Sequence, residues 1–299
     1  MSIEYATGMT PVNNFSVIND KPSLMTLLDS TLTGAGWTIT TTTSSTDKIY
    51  QSVVTPQSNQ IKVRVWDDGG STTCLRIRMM NVSQSIQQAD SCYLRPAAST
   101  GFRCIADQYQ FCFFVPGSLS SCNFVLGSAL YLPPNLVAMS LTTAAFIMGD
   151  GGSDSDTSNS RGTFRTIMTG RAAATCQYWS ILNATTVEVS NSGEDSFVHP
   201  GVISMMIPQS AYPNAIGGYR WHDDSSFIVE PLVAWGAPTI DSDSKVRGQM
   251  WDSFVATDSY PADITTIVDS HNYYNLTNNN DGSVTFPGSM IGSLFMVIP

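Results

Sequence analysis

Charge is what this sequence has least of. Asp, Glu, Lys and Arg make up 13% of its 299 residues, against roughly 25% in an ordinary soluble domain. Lysine is the scarcest cation, present only as Lys21, Lys48, Lys62 and Lys245. The net charge is −10 and the pI about 4.5. Phosphate backbones are bound by clustered Lys and Arg, so nucleic acid is excluded as an expected partner. No apolar run reaches the about 18 residues of a membrane-crossing helix, so no membrane partner is expected. The opening MSIEYATGMTPVNNF has neither the basic nor the apolar segment of a signal peptide. Synthesis in a reducing cytosol is therefore the expectation.

Chemical motifs are missing as well. There is no Gly-x-Ser-x-Gly elbow, no CxxC, and no pair of histidines at a zinc spacing. No catalytic residue, no cofactor-binding residue, no metal ligand and no cofactor is assigned. The six cysteines are Cys74, Cys92, Cys104, Cys112, Cys122 and Cys176. Cys74, Cys104 and Cys112 lie in apolar alternating stretches and read as buried thiols. Disulfides, formed late and including bridges between subunits, are the other reading.

What the sequence has in place of charge is Ser, Thr, Gly and Asn. Such a surface is polar yet cheap to bury against a neighbour, because few charges must be desolvated. Hydrophobic residues make up 42% of the chain, enough for a real core. One helix stands out. Asp20 is its N-cap, Pro22 lies in its first turn, and Leu24, Met25, Leu27, Leu28 and Leu32 form an apolar face. Gly34 and Gly36 end it, and Asp29 and Thr31 are read as facing outward. The period then changes to two. Trp37-Thr-Ile-Thr-Thr-Thr-Thr reads as a strand with one apolar face. Ile61 to Trp66 and Cys74 to Met80 alternate cleanly across Asp67-Asp-Gly-Gly and predict an antiparallel hairpin. Gln110-Phe-Cys-Phe-Phe-Val is nearly all apolar, as a strand covered on both faces is.

Further strands are predicted at 164–168, 177–182, 185–189, 202–207, 227–235, 264–268, 273–276 and 293–299. One helix and many short strands predict an all-β or β-dominated fold of antiparallel, sandwich-like sheets. Residues 1–20 read as an extended arm able to lie across a neighbouring subunit. Residues 21–148 form a helix plus β-sandwich-like domain, and 149–162 a flexible loop. Residues 163–299 are a second β-rich domain or a continuation of the first.

The polar clusters have plain explanations. His222-Asp223-Asp224, beside Arg220 and Trp221, is read as a polar turn before the strand at Phe227 rather than a metal or sugar site. His199 and His271 stand alone. Asp150, Asp154 and Asp156 suggest a calcium loop. The EF-hand pattern breaks at Asn159, where glycine belongs, and at Arg165, where glutamate belongs. Asp241 and Asp243 are weaker still. Asp223 with Asp67 or Glu194 makes a nominal glycosidase pair. Tyr219, Trp221, Trp235, Tyr273 and Tyr274 could stack on sugar, though such residues more often anchor cores and interfaces.

The order of elements has a familiar shape. An apolar helix ends in Gly34-Ala-Gly36-Trp37, and polar strands run from Ile49-Tyr through Trp66. Then come Arg103-Cys-Ile-Ala-Asp-Gln-Tyr-Gln-Phe-Cys-Phe-Phe, Met148-Gly-Asp-Gly and Val229-Glu-Pro-Leu-Val. Val246-Arg-Gly-Gln-Met-Trp and a closing Gly-x-Leu-Phe strand follow. This order resembles virion structural proteins of tailed bacteriophages, of the head, neck or tail. The resemblance implies a non-enzymatic, multi-copy subunit, made in the bacterial host cytoplasm and located in the virion. Its implied partners are itself, as a homo-oligomer, and other virion proteins. A receptor- or glycan-binding module on the virion surface and a tail-associated glycan hydrolase stand as alternatives.

Overall fold

A short strand, β1 (Val12–Ser16), leads into α1 (Lys21–Gly34). The computed structural model describes residues 12–16, 18, 20–67, 69, 74–80, 92–94, 102–114, 124–131, 145–150, 176–183, 186–191, 229–236, 245–256, 265–268, 271–275 and 293–298. The helix starts where the sequence predicts. Asp20 is extended, and its Oδ1 accepts the Ser23 N–H at 2.8 Å. That bond holds the Asp20 carboxyl below its usual pKa. The helix ends in a Schellman motif. Gly36 has φ +91°, a value that glycine adopts without strain. The Trp37 N–H reaches back to the Leu32 carbonyl at 2.9 Å, and the Gly36 N–H to that of Thr33 at 3.0 Å.

Leu24, Met25, Leu27, Leu28 and Leu32 are buried as predicted. Thr31 is not outward-facing: it is fully buried, and its hydroxyl donates to the Leu27 carbonyl at 2.8 Å. That local bond removes the cost of burying the hydroxyl, so the apolar face is wider than hydrophobicity alone suggests. Asp29 also differs from its expected place in solvent, because it turns toward the neighbouring sheet.

That sheet is a five-stranded antiparallel meander. Its strands are β2 (Thr38–Ser44), β3 (Asp47–Gln51), β4 (Lys62–Trp66), β5 (Leu75–Met80) and β6 (Cys92–Leu94). The predicted hairpin is β4 with β5, in a register running from Lys62 opposite Met80 to Trp66 opposite Arg76. Alternation decides the faces. Val63, Val65, Leu75, Ile77 and Met79 point inward and are buried. Arg64 and Trp66 lie on the other face and are partly exposed.

The second sheet begins with β7 (Phe102–Ala106), β8 (Gln110–Phe114), β9 (Phe124–Tyr131) and β10 (Ala145–Asp150). It continues through β11 (Cys176–Asn183), β12 (Thr186–Asn191), β13 (Val229–Gly236) and β14 (Lys245–Ala256). β15 (Thr265–Val268), β16 (His271–Asn275) and β17 (Ser293–Ile298) complete it. The main path is β1-β7-β8-β9-β14-β17-β16-β15; β10, β11 and β12 branch from β9, and β13 pairs with β14. All pairings are antiparallel.

The two sheets and α1 enclose one core. Phe102, Cys104, Phe111, Phe113, Val125 and Ile147 meet the inward residues of β4 and β5 there. The opposite face of the same strands is also buried, through Ile105, Cys112, Leu126 and Leu130. The apolar run at Gln110 is thus a strand covered on both sides, as its composition predicts. Gly127 is required at its place in β9. A Cβ there would sit 2.5 Å from the Phe111 ring, which fills the space instead.

Residues 1–20 were expected to be an arm. Over Val12–Ser16 the chain is extended, but as β1, paired with β7 from Val12 opposite Ala106 to Ser16 opposite Phe102. Ile18 is buried in the core. The ladder satisfies backbone groups that a free arm would leave to water, so this part belongs to the molecule's own sheet. Of the predicted loop, Gly149 and Asp150 end β10, and residues 151–162 lie outside the described residues, as do the strands expected at 164–168 and 202–207.

Candidate functional site

Most polar clusters singled out in the sequence lie outside the described residues: Arg220 to Asp224, His199, Asp154, Asp156, Asn159, Arg165, Glu194, Tyr219, Asp241 and Asp243. The others are not brought together. Asp150 lies opposite Cys176 on β11. His271 opens β16 opposite Val268, and Tyr273 and Tyr274 follow it on the same strand. Trp235 lies on β13 opposite Val246. Asp67 is occupied by local structure, since its carboxylate accepts from Lys21 Nζ and, at 2.9 Å, from the Gly69 N–H. Among the described residues no group of three or more His, Cys, Asp or Glu could hold a metal, and no helix is long and apolar enough to cross a membrane.

The described polar side chains serve positioning. Asp107 is fully buried in the turn between β7 and β8. Its Oδ1 accepts the Tyr109 and Gln110 N–H groups at 2.7 and 3.0 Å, and its Oδ2 accepts Gln110 Nε2 at 2.8 Å. Its backbone carbonyl takes the Trp37 indole N–H at 2.7 Å. One buried turn thereby fixes the hairpin and ties it to the end of α1. Asp29 accepts from both Tyr50 Oη and Lys48 Nζ, which clamps α1 onto β3. Burial, then the Asp29 carboxylate, pushes the Tyr50 pKa far above its ordinary value. Burial pushes the Cys104 thiol up as well. Neither group supplies an anion near neutral pH. Cys74, Cys104 and Cys112 are all buried, as the sequence predicts.

On the outer face of the five-stranded sheet, Arg64 grips Asp47 in a two-pronged pair at 2.9 and 2.7 Å. Trp66 carries the Arg78 and Arg64 guanidinium groups over its ring at 4.5 and 5.1 Å. Burial, and next the like charge of Arg64, lower the Arg78 pKa.

The surface that stands apart is β2. All seven residues, TITTTTS, are exposed, so both faces of the strand meet solvent. Among the described residues it is the first strand of its sheet and pairs only with β3. The sequence predicts one apolar face here, but Ile39 is 37% exposed. The other residues of the strand are Thr and Ser, which give no burial to hold a face inward. Edge strands are usually guarded by Lys, Pro or a covering segment. β2 has no charged residue and no proline, and only its two register shifts, around Thr40 and Thr43, add twist. The candidate functional site is this edge, and what it can form is a backbone ladder with another strand. The signal was in the sequence, as an uncharged threonine run. The run predicts a strand but not that the strand is an edge.

Neither protein-family models nor curated proteins match the chain.

Proposed function

We propose that this protein is a non-enzymatic structural subunit of a tailed-phage virion, in a head, neck or tail layer. It acts by homo-oligomeric assembly and by contact with neighbouring virion proteins. The observation that carries the reading is β2, an uncharged edge strand exposed along its whole length. A charge-poor sequence and two antiparallel sheets support it. Assembly of this kind needs area and open hydrogen-bonding groups rather than reactive side chains.

Sedimentation velocity on the purified chain, from micromolar to millimolar, tests this. Reversible formation of larger species is expected, alone or with added head, neck or tail proteins. A strict monomer throughout contradicts it. A glycan that raises the melting temperature would favour a binding module instead. Glycan turnover lost in Asp223→Asn or Asp224→Asn would favour a hydrolase.

A further inference from the structure

We infer that β2 pairs antiparallel with the β2 of a second copy of this chain, about a two-fold axis at Thr41. The inference rests on the assembly reading and gives it a surface and a partner. The five-stranded sheet has two ends. At one, β6 is only three residues long and lies against β9 and β10. At the other, β2 offers seven exposed residues. A strand there extends the ladder by main-chain hydrogen bonds.

The occupant follows from the side chains. TITTTTS reads nearly the same in both directions. About Thr41, Thr38 meets the partner's Ser44, and Ile39 the partner's Thr43. Thr40 meets the partner's Thr42, and Thr41 the partner's Thr41. Every pair is of hydroxyl or β-branched residues, which are favourable across strands, and no charge faces a like charge. That is unusual relief in a chain of net charge −10. Asp47, on β3 opposite Ser44, is already held by Arg64, so it brings no unbalanced carboxylate to the contact. The bulges of β2 twist both copies in the same hand, so a two-fold pairing matches twist with twist. Such a contact is isologous and closes at two copies. One strand pair buries less than the about 1,600 Å² of a standard interface, so the dimer is weak and reversible on its own.

The test is a charge swap read by sedimentation velocity. Thr40→Lys/Thr42→Lys places two lysines opposite two lysines in the homodimer, and Thr40→Glu/Thr42→Glu does the same with glutamates. Each variant alone should dimerise at least about tenfold more weakly than the wild type. An equimolar mixture should recover wild-type affinity or better, as mixed dimers. Both positions are exposed, so melting temperatures should stay close to wild type. If either variant folds poorly, Thr41→Cys gives a second reading. It should cross-link to a dimer on oxidation, because directly opposed antiparallel residues lie within disulfide reach. Val54→Cys, which is exposed off this strand, should not. Unchanged dimerisation of the charged variants, or a mixture that fails to recover, overturns the β2 pairing while leaving assembly through another surface standing. A wild-type chain that never dimerises overturns the β2 pairing, and one that also stays monomeric with head, neck or tail proteins added overturns the assembly reading as well.

Discussion

Tyr50 shows what a single side chain does here. Its ring is fully buried, and its hydroxyl binds Asp29 on α1 and lies 3.1 Å from Met25 Sδ. Burial disfavours the phenolate, and ionising it would also place a second anion beside the Asp29 carboxylate, hence the raised pKa. The sign follows from linkage. In the unfolded chain the phenol ionises near pH 10, whereas in the folded protein it keeps its proton. Its contribution is therefore full below about pH 10 and is lost as pH rises above that. Cys104, also raised, begins the same loss near pH 8.5. The melting temperature should be flat from pH 7 to 8, fall from about pH 9, and fall more steeply above about pH 10. Each pH unit beyond the unfolded value costs up to about 1.4 kcal/mol per group. Tyr50→Phe should melt lower at pH 7, having lost the Asp29 bond, yet show a shallower slope between pH 10 and 11. A slope as steep as wild type would remove Tyr50 from this role.

At the scale of elements, β1 joins the sheet and α1 clamps it. β1 caps the free edge of β7 and delivers the buried Ile18 to the core. Deleting residues 1–16 should bare that edge and lower the melting temperature by more than about 5 °C. A thermal scan giving a change within 2 °C would make β1 dispensable to the fold. How much of this was readable varied by element. α1 was legible end to end because caps and apolar spacing are local signals. The β4–β5 hairpin was legible because its alternation is clean and is broken by the turn formers Asp67-Asp-Gly-Gly. β9, β10 and β14 were not. Gly127 and Ser128 interrupt the apolar run of β9, and glycine there answers to Phe111, which is distant in sequence. β14 carries Lys245, Arg247, Gly248 and Asp252, and it is a strand because β13, β9 and β17 pair with it. Thr31 misled for a related reason, since its polarity is cancelled by its own helix. β2 was legible as a strand, whereas its edge position is a property of topology and has no local trace.

At the scale of the molecule, the two sheets share one core, and the second sheet is buried on both faces where β7, β8 and β9 run. Trp251 on β14 is buried, packing on Tyr109 at 4.9 Å and on Tyr131 at 5.2 Å between ring centres. The open feature is β2, and the account stands on whether that edge is used. Hydrogen–deuterium exchange of its amides, read at dilute and at assembly-promoting concentrations, tests this most directly. The account predicts that peptides spanning residues 38–44 exchange quickly when dilute and become protected as concentration rises, while those from α1 stay unchanged. Equal exchange of the β2 peptides at both concentrations, in a sample that sedimentation shows to be assembled, would contradict it.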